Sequence, residues 1–315
     1  MPMSTPRSSS RKPVWFVGYL AVCLALYWRP LWELLRISLA ENTYSHILIV
    51  PFISIALVFM DRQKLQQSLR PSLAPAAAFV LGFAALRFAD WRYGARLPEG
   101  ATLALTILSL LALIWAGVML AYGARIFHSL LFPLLFLLLA VPLPPPLVDR
   151  FIYWLQVGSA DVTAILFRLT GTPFLRHGFL FFVPQFTIEI AKECSGIRSA
   201  IALFITCLLA GYLFLRSGWS RIVLLVSALP VLVIKNGVRI VTLTLLSIYV
   251  DPGFLSGDLH REGGFIFFLI GLLILWPVLW GLQALEAKHG KASSGPSRNA
   301  GGSSPVTRAA MTPNS

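Results

Sequence analysis

Three short clusters set nucleophilic, cationic and titratable side chains beside long apolar runs. The first is Glu193-Cys194-Ser195-Gly196-Ile197-Arg198. Ser195 is expected to cap the helix that follows, which puts the Cys194 sulfur near the positive end of the backbone dipole, with Arg198 one turn on. Both effects favour a thiolate over a thiol whose pKa starts near ~8.5. The second cluster is Lys235-Asn236-Gly237-Val238-Arg239, midway through the apolar region 222–250. Asn236 and Arg239, at i and i+3, share a helical face. A guanidinium is always charged and carries a fork of donors, which suits a developing oxyanion. Lys235 points about 100° away from Asn236 and reads as a membrane anchor. The third cluster is Leu259-His260-Arg261-Glu262-Gly263-Gly264, whose imidazole can exchange protons near neutral pH. A nucleophile, a cation and a base on one side of a membrane form the minimum set for thiol acyl transfer.

Other residues compete for these roles. His46, in Asn42-Thr43-Tyr44-Ser45-His46, is the second choice of base or a substrate-positioning group; His177 belongs to an interfacial segment, and His128 and His289 fall on the opposite side. Cys23 and Cys207 lie inside apolar runs and read as packing, so a disulfide framework is not the design. No His/Cys pairing has zinc spacing and there is no Gly-rich phosphate loop, so neither a metal nor a cofactor is expected. A Ser-His-Asp set is also missing.

The elements that must position these groups are membrane spans. Of the 315 residues, 57% are hydrophobic and only 12% charged, against roughly 45–50% and 25% in soluble domains. That excess excludes a soluble globular protein. The balance of 26 Lys+Arg to 13 Asp+Glu does not read as nucleic-acid binding, because the basic residues are scattered between apolar spans rather than lining one polar face. The fold class is an all-α membrane protein with about eight transmembrane helices, an interfacial helix and short extended segments on the outer face. Spans are placed near 14–28, 42–60, 72–89, 101–121, 129–146, 197–215, 222–250 and 265–285. The first is short before Arg29-Pro30 and is read as tilted, re-entrant or extended through Leu39.

With both termini in the cytoplasm, the Lys+Arg tally divides evenly between the two sides. The short connections carrying Arg62, Lys64 and Arg70, and Arg216 and Arg221, lean it toward that orientation. Residues 1–13 and 286–315 read as disordered cytoplasmic ends around a membrane domain at 14–285. Between spans, Pro142-Leu143-Pro144-Pro145-Pro146 ends a helix, Val148–Leu169 has the period of a helix lying in the interface, and Gly178–Ile190 is punctuated like short strands.

On Cys194-Ser195-Gly196-Ile197-Arg198, Asn236-x-x-Arg239 and His260-x-x-Gly263-Gly264, in that order and each beside or within a span, the chain resembles the exosortase/archaeosortase family. Tyr44-Ser45-His46 adds to the likeness, although Ile47 stands where the family commonly has Gly. The likeness covers roughly 14–285. It implies a polytopic cysteine transpeptidase-like enzyme that processes secreted proteins bearing a C-terminal sorting signal: in bacterial members a Pro-Glu-Pro-type motif, a transmembrane helix and a basic cluster. Carried over, Cys194 is the nucleophile, Arg239 the transition-state stabiliser and His260 the general acid/base, with Arg198, Asn236, His46 and Ser195 supporting or positioning substrate. His at the third position resembles the bacterial exosortase branch, which implies an inner-membrane protein with its site facing the periplasm. The implied partners are signal-bearing secreted proteins, membrane lipid and an unidentified amine acceptor. With no soluble domain after the last span, an unfused member is expected. Two other classes stand beside this reading: a transporter or channel using Arg239 and Lys235 within the membrane, and a non-catalytic scaffold for envelope or exopolysaccharide assembly.

Overall fold

The computed structural model describes residues 11–65, 71–98, 100–192, 196–255 and 264–293. The helices are α1 (Arg11–Leu26), α2 (Trp28–Ala40), α3 (Val50–Met60), α4 (Arg62–Leu65), α5 (Leu73–Tyr93), α6 (Ala101–Tyr122), α7 (Ala124–Ser129), α8 (Leu131–Phe136), α9 (Pro145–Leu169), α10 (Ile197–Phe214), α11 (Gly218–Tyr249) and α12 (Gly264–Ser293). A 3-10 turn at Asn42–Leu48 joins α2 to α3. The only sheet among the described residues is an antiparallel meander, β1 (Leu175–His177), β2 (Leu180–Val183) and β3 (Phe186–Glu189), between α9 and α10.

Among the described residues, six helical stretches are long and apolar enough to cross a membrane, at Thr43–Met60, Leu73–Arg96, Ala101–Tyr122, Ile197–Phe214, Gly218–Tyr249 and Gly264–His289. Two bent pairs raise the total to as many as eight: Val14–Leu26 with Trp28–Ala40 at 71°, and Leu131–Ala140 with Pro145–Leu169 at 95°. The first bend makes a broken span or a re-entrant loop of the opening segment, which the sequence leaves as tilted, re-entrant or extended through Leu39. The second corrects the reading of 129–146 as one straight crossing. Its helical residues stop at Ala140, because the prolines from Pro142 onward deny the chain amide donors. At the other end, α12 runs to Ser293, past the expected span end at Leu285, through Glu286, Ala287 and Lys288, all good helix formers.

The loops sort to two ends of the bundle. At one, Tyr44 donates its hydroxyl to the Leu143 carbonyl at 2.9 Å, a β-carbon on Gly100 would lie 3.2 Å from Pro145, and Lys192 pairs with Asp149 at 2.8 Å. At the other, Tyr212 donates to Asp61 at 3.1 Å, and Glu286 accepts the backbone N–H groups of Arg216 and Ser217 at 2.9 and 2.8 Å.

Four helices frame the first of these ends. α10 and α11 form an antiparallel hairpin, since Gly211 lies against Arg221 near the tight turn while Gly196 lies against Asn236 at the open end. α12 runs parallel to α10: a β-carbon on Gly271 would stand 3.3 Å from Leu203, and Glu286 reaches the residues just past the end of α10. α9 lies along α11 in the same direction, Gly158 against Val233 and Gly237 against Val162. Small residues at both crossings let the backbones approach, the device by which apolar helices pack without a hydrophobic drive between them.

Candidate active site

The segment that carries Cys194 is tied down on both flanks. Upstream, β3 is followed by Ile190, which is fully buried; its N–H donates to the Phe179 carbonyl at 3.0 Å, and its own carbonyl accepts a hydrogen bond from Nε2 of the buried Gln156 at 2.7 Å. The meander itself is seated by Phe181, wholly buried among Phe167, Phe174 and the α11 residues Ile240 and Val241. Lys192 then pairs with Asp149 at the start of α9. Downstream, Gly196 adopts φ +70°, a left-handed conformation that glycine takes without the penalty of a β-carbon. Gly196, rather than the expected Ser195, therefore stands at the cap of α10, and the helix starts at Ile197. Glu193, Cys194 and Ser195 lie outside the described residues, as do Ser256–Gly263 and with them His260.

The turn at Gly196 is held from α11. Asn236, 1% exposed, lies so close that a β-carbon on Gly196 would stand 2.8 Å from its Oδ1, while its Nδ2 donates to Ser159 on α9 at 2.9 Å. One residue earlier, Lys235 donates its Nζ to the Ser199 hydroxyl, which in turn donates to the Gly196 carbonyl at 3.0 Å. Lys235 is 2% exposed, and its stem faces Gly271 of α12, where a β-carbon would stand 3.4 Å from Lys235 Cδ. It is thus a buried contact residue, not the membrane anchor that its sequence position suggests. A single helix presents neighbouring side chains about 100° apart; α11 escapes the usual consequence because it is enclosed by α9, α10 and α12, so both Lys235 and Asn236 find an interior.

Lys235 is level with Ser199 of α10 and Gly271 of α12. Because α11 runs opposite to both, each turn along it toward Arg239 climbs about 5 Å toward the starts of α10 and α12. Half-buried Arg239 therefore stands one turn beyond Lys235, toward the level at which α10 begins after the Cys194 segment and α12 begins after the His260 segment. Arg198 is exposed in the first turn of α10.

His46 is placed differently. Its Nδ1 is bonded to the Thr43 carbonyl at 3.1 Å, and its 3-10 turn packs through Tyr44 and Ile47 against Ile205 and Leu209, two turns and more along α10 from Gly196. Among the described residues no group of three His, Cys, Asp or Glu side chains could hold a metal ion. Cys23 and Cys207 are buried thiols without disulfide partners. Three contributors escape a reading of the sequence: Ser199, Ser159 and Gln156. Small polar residues inside apolar helices signal little singly; here Ser159 and Gln156 do sit on the polar-interrupted helix of 148–169.

The fold defines a polytopic helical membrane protein in which α9, α10, α11 and α12 pack together as a four-helix core. Residues 32–277 match the family model described as transmembrane exosortase (Exosortase_EpsH), so the chain belongs to the exosortase family. No curated protein and no solved structure matches it.

Proposed function

We propose that this exosortase-family protein is a membrane cysteine protease/transpeptidase that cleaves the C-terminal sorting signal of secreted proteins. Cys194 attacks the scissile carbonyl as a thiolate, Arg239 stabilises the oxyanion, and His260 protonates the leaving amine. The thioester that forms is resolved by an amine or by water, with His260 taking the proton back. What supports this reading is that α10 and α12, the helices that follow the Cys194 and His260 segments in the sequence, begin near the level of the Arg239 turn of α11.

A substrate anchored by its own transmembrane helix arrives at fixed depth. Its cleavage motif then meets the nucleophile at an effective concentration far above the bulk value. The orientation that goes with this reading places the Gly196 end in the periplasm and both chain ends in the cytoplasm of an inner-membrane protein. A transport role for Lys235 is disfavoured by its surroundings: its amine is engaged by Ser199 and its stem is sealed by Gly271.

The test is co-expression with a secreted protein bearing a Pro-Glu-Pro-type motif, a terminal helix and a basic cluster. Cys194→Ala and His260→Ala are expected to leave the substrate full length. Arg239→Ala should slow processing by about two to three powers of ten, the usual loss for one oxyanion donor. Cys207→Ala should process normally. Shortening of the substrate by Cys194→Ala overturns the reading.

A further inference from the structure

Lys235 is a costly residue to place where it is. A long amine at 2% exposure gives up its hydration, and such groups persist where their polar end has something to do. Among the described residues its one hydrogen-bond partner is Ser199, and Ser199 is not a terminus of the chain of contacts. The Ser199 hydroxyl passes its own proton to the Gly196 carbonyl at 3.0 Å, and that carbonyl also accepts the first helical N–H of α10, from Ala200 at 2.8 Å. A serine hydroxyl has one proton to give and lone pairs to receive. Lys235 occupies the receiving side, which leaves the proton directed at Gly196.

We propose that Lys235 is a positioning residue: through Ser199 it locks the left-handed Gly196 turn from which the Cys194 segment departs. Three features converge on this. The turn needs φ +70° at Gly196, a conformation with no side chain of its own to hold it. Asn236 covers the same glycine from the neighbouring position of α11, so successive residues of one helix grip one turn by different atoms. Gly271 of α12 faces the Lys235 stem, so that a β-carbon there would stand 3.4 Å from Cδ, within ordinary van der Waals contact. The inference rests on the proposed role of Cys194 only for its kinetic consequence; its geometric content stands apart from that role.

The experiment uses the full-length protein in detergent with Cys23→Ala and Cys207→Ala, so that Cys194 is the sole thiol. Lys235→Met keeps the stem and removes the donor, Ser199→Ala removes the relay, and Ser199→Thr keeps the hydroxyl. Two quantities are read: kcat and KM on a signal-bearing substrate, and the rate of Cys194 alkylation by a small neutral maleimide. Lys235→Met and Ser199→Ala are each expected to lower kcat about 10- to 100-fold with KM little changed, the scale of a misplaced reacting group. The double variant should lose no more than either single one, because both act through one turn. Ser199→Thr should restore kcat. The alkylation rate should change in Lys235→Met and Ser199→Ala and recover in Ser199→Thr.

An unchanged kcat and alkylation rate in Lys235→Met overturns the inference. So does a loss that Ser199→Thr fails to restore, or one that tracks a lowered melting temperature. If the parent does not process the substrate, the proposed function fails while the alkylation rates still decide the positioning role.

Discussion

Asn236 and Gly196 are interlocked: the amide of one covers the α-carbon of the other closely enough that a methyl group would stand 2.8 Å from Oδ1. Gly196→Ala therefore meets two penalties, the left-handed backbone and the side chain above it. Gly171, at φ +68° with nothing within 4 Å of where a β-carbon would stand, isolates the first. We expect Gly171→Ala to cost about 1–2 kcal/mol in a thermal or denaturant melt. Gly196→Ala should cost more and abolish substrate processing.

Asn236→Ala removes the donor to Ser159, a hydroxyl that is wholly buried. Leaving a buried polar group without its partner costs about 1–3 kcal/mol. The expected result is a lowered melting temperature, with the double variant Asn236→Ala/Ser159→Ala recovering part of the loss because the stranded hydroxyl is gone.

The α9–α11 crossing depends on Gly237, where a β-carbon would stand 2.5 Å from Val162 Cγ1. Gly237→Ala should destabilise by about 1–3 kcal/mol through overpacking. Adding Val162→Ala opens the space, and we expect it to restore much of the stability; melts of the single and double variants check this.

Gln156→Leu keeps the bulk of the side chain and deletes the 2.7 Å bond to the Ile190 carbonyl, just upstream of the Cys194 segment. Hydrogen exchange in β3 should quicken and processing should fall. The exposed Lys192–Asp149 pair is the contrasting case: Asp149→Asn should shift stability by less than about 1 kcal/mol, as solvent screens such pairs.

How far the sequence discloses this architecture follows from the range of each signal. Long apolar runs mark the straight spans, α5, α6 and α10 among them, because crossing a hydrocarbon layer is a property of one contiguous segment. Pro142–Pro146 and Gly178–Pro184 announce a helix end and a strand turn for the same local reason. The bends are harder: Pro142–Pro146 marks where the helix of 129–146 ends, but the 95° turn into α9 is set by packing. The site splits similarly. Asn236 and Arg239 declare themselves as polar groups in an apolar run, but Ser199, Ser159 and Gln156 gain their roles from partners on other helices. Lys235 shows the limit most sharply: its helical angle away from Asn236 is legible in the sequence, yet what lies in that direction is α10 and α12.

The central claim is that the sulfur of Cys194 takes the acyl group. Purified protein mixed with a signal-bearing substrate, quenched in acid and digested, is analysed by mass spectrometry. A hydroxylamine-labile acyl adduct is expected on the peptide containing Cys194, accumulating when no amine acceptor is supplied and missing from Cys194→Ser. An adduct on a different residue, or substrate cleaved at full rate by Cys194→Ser, contradicts it.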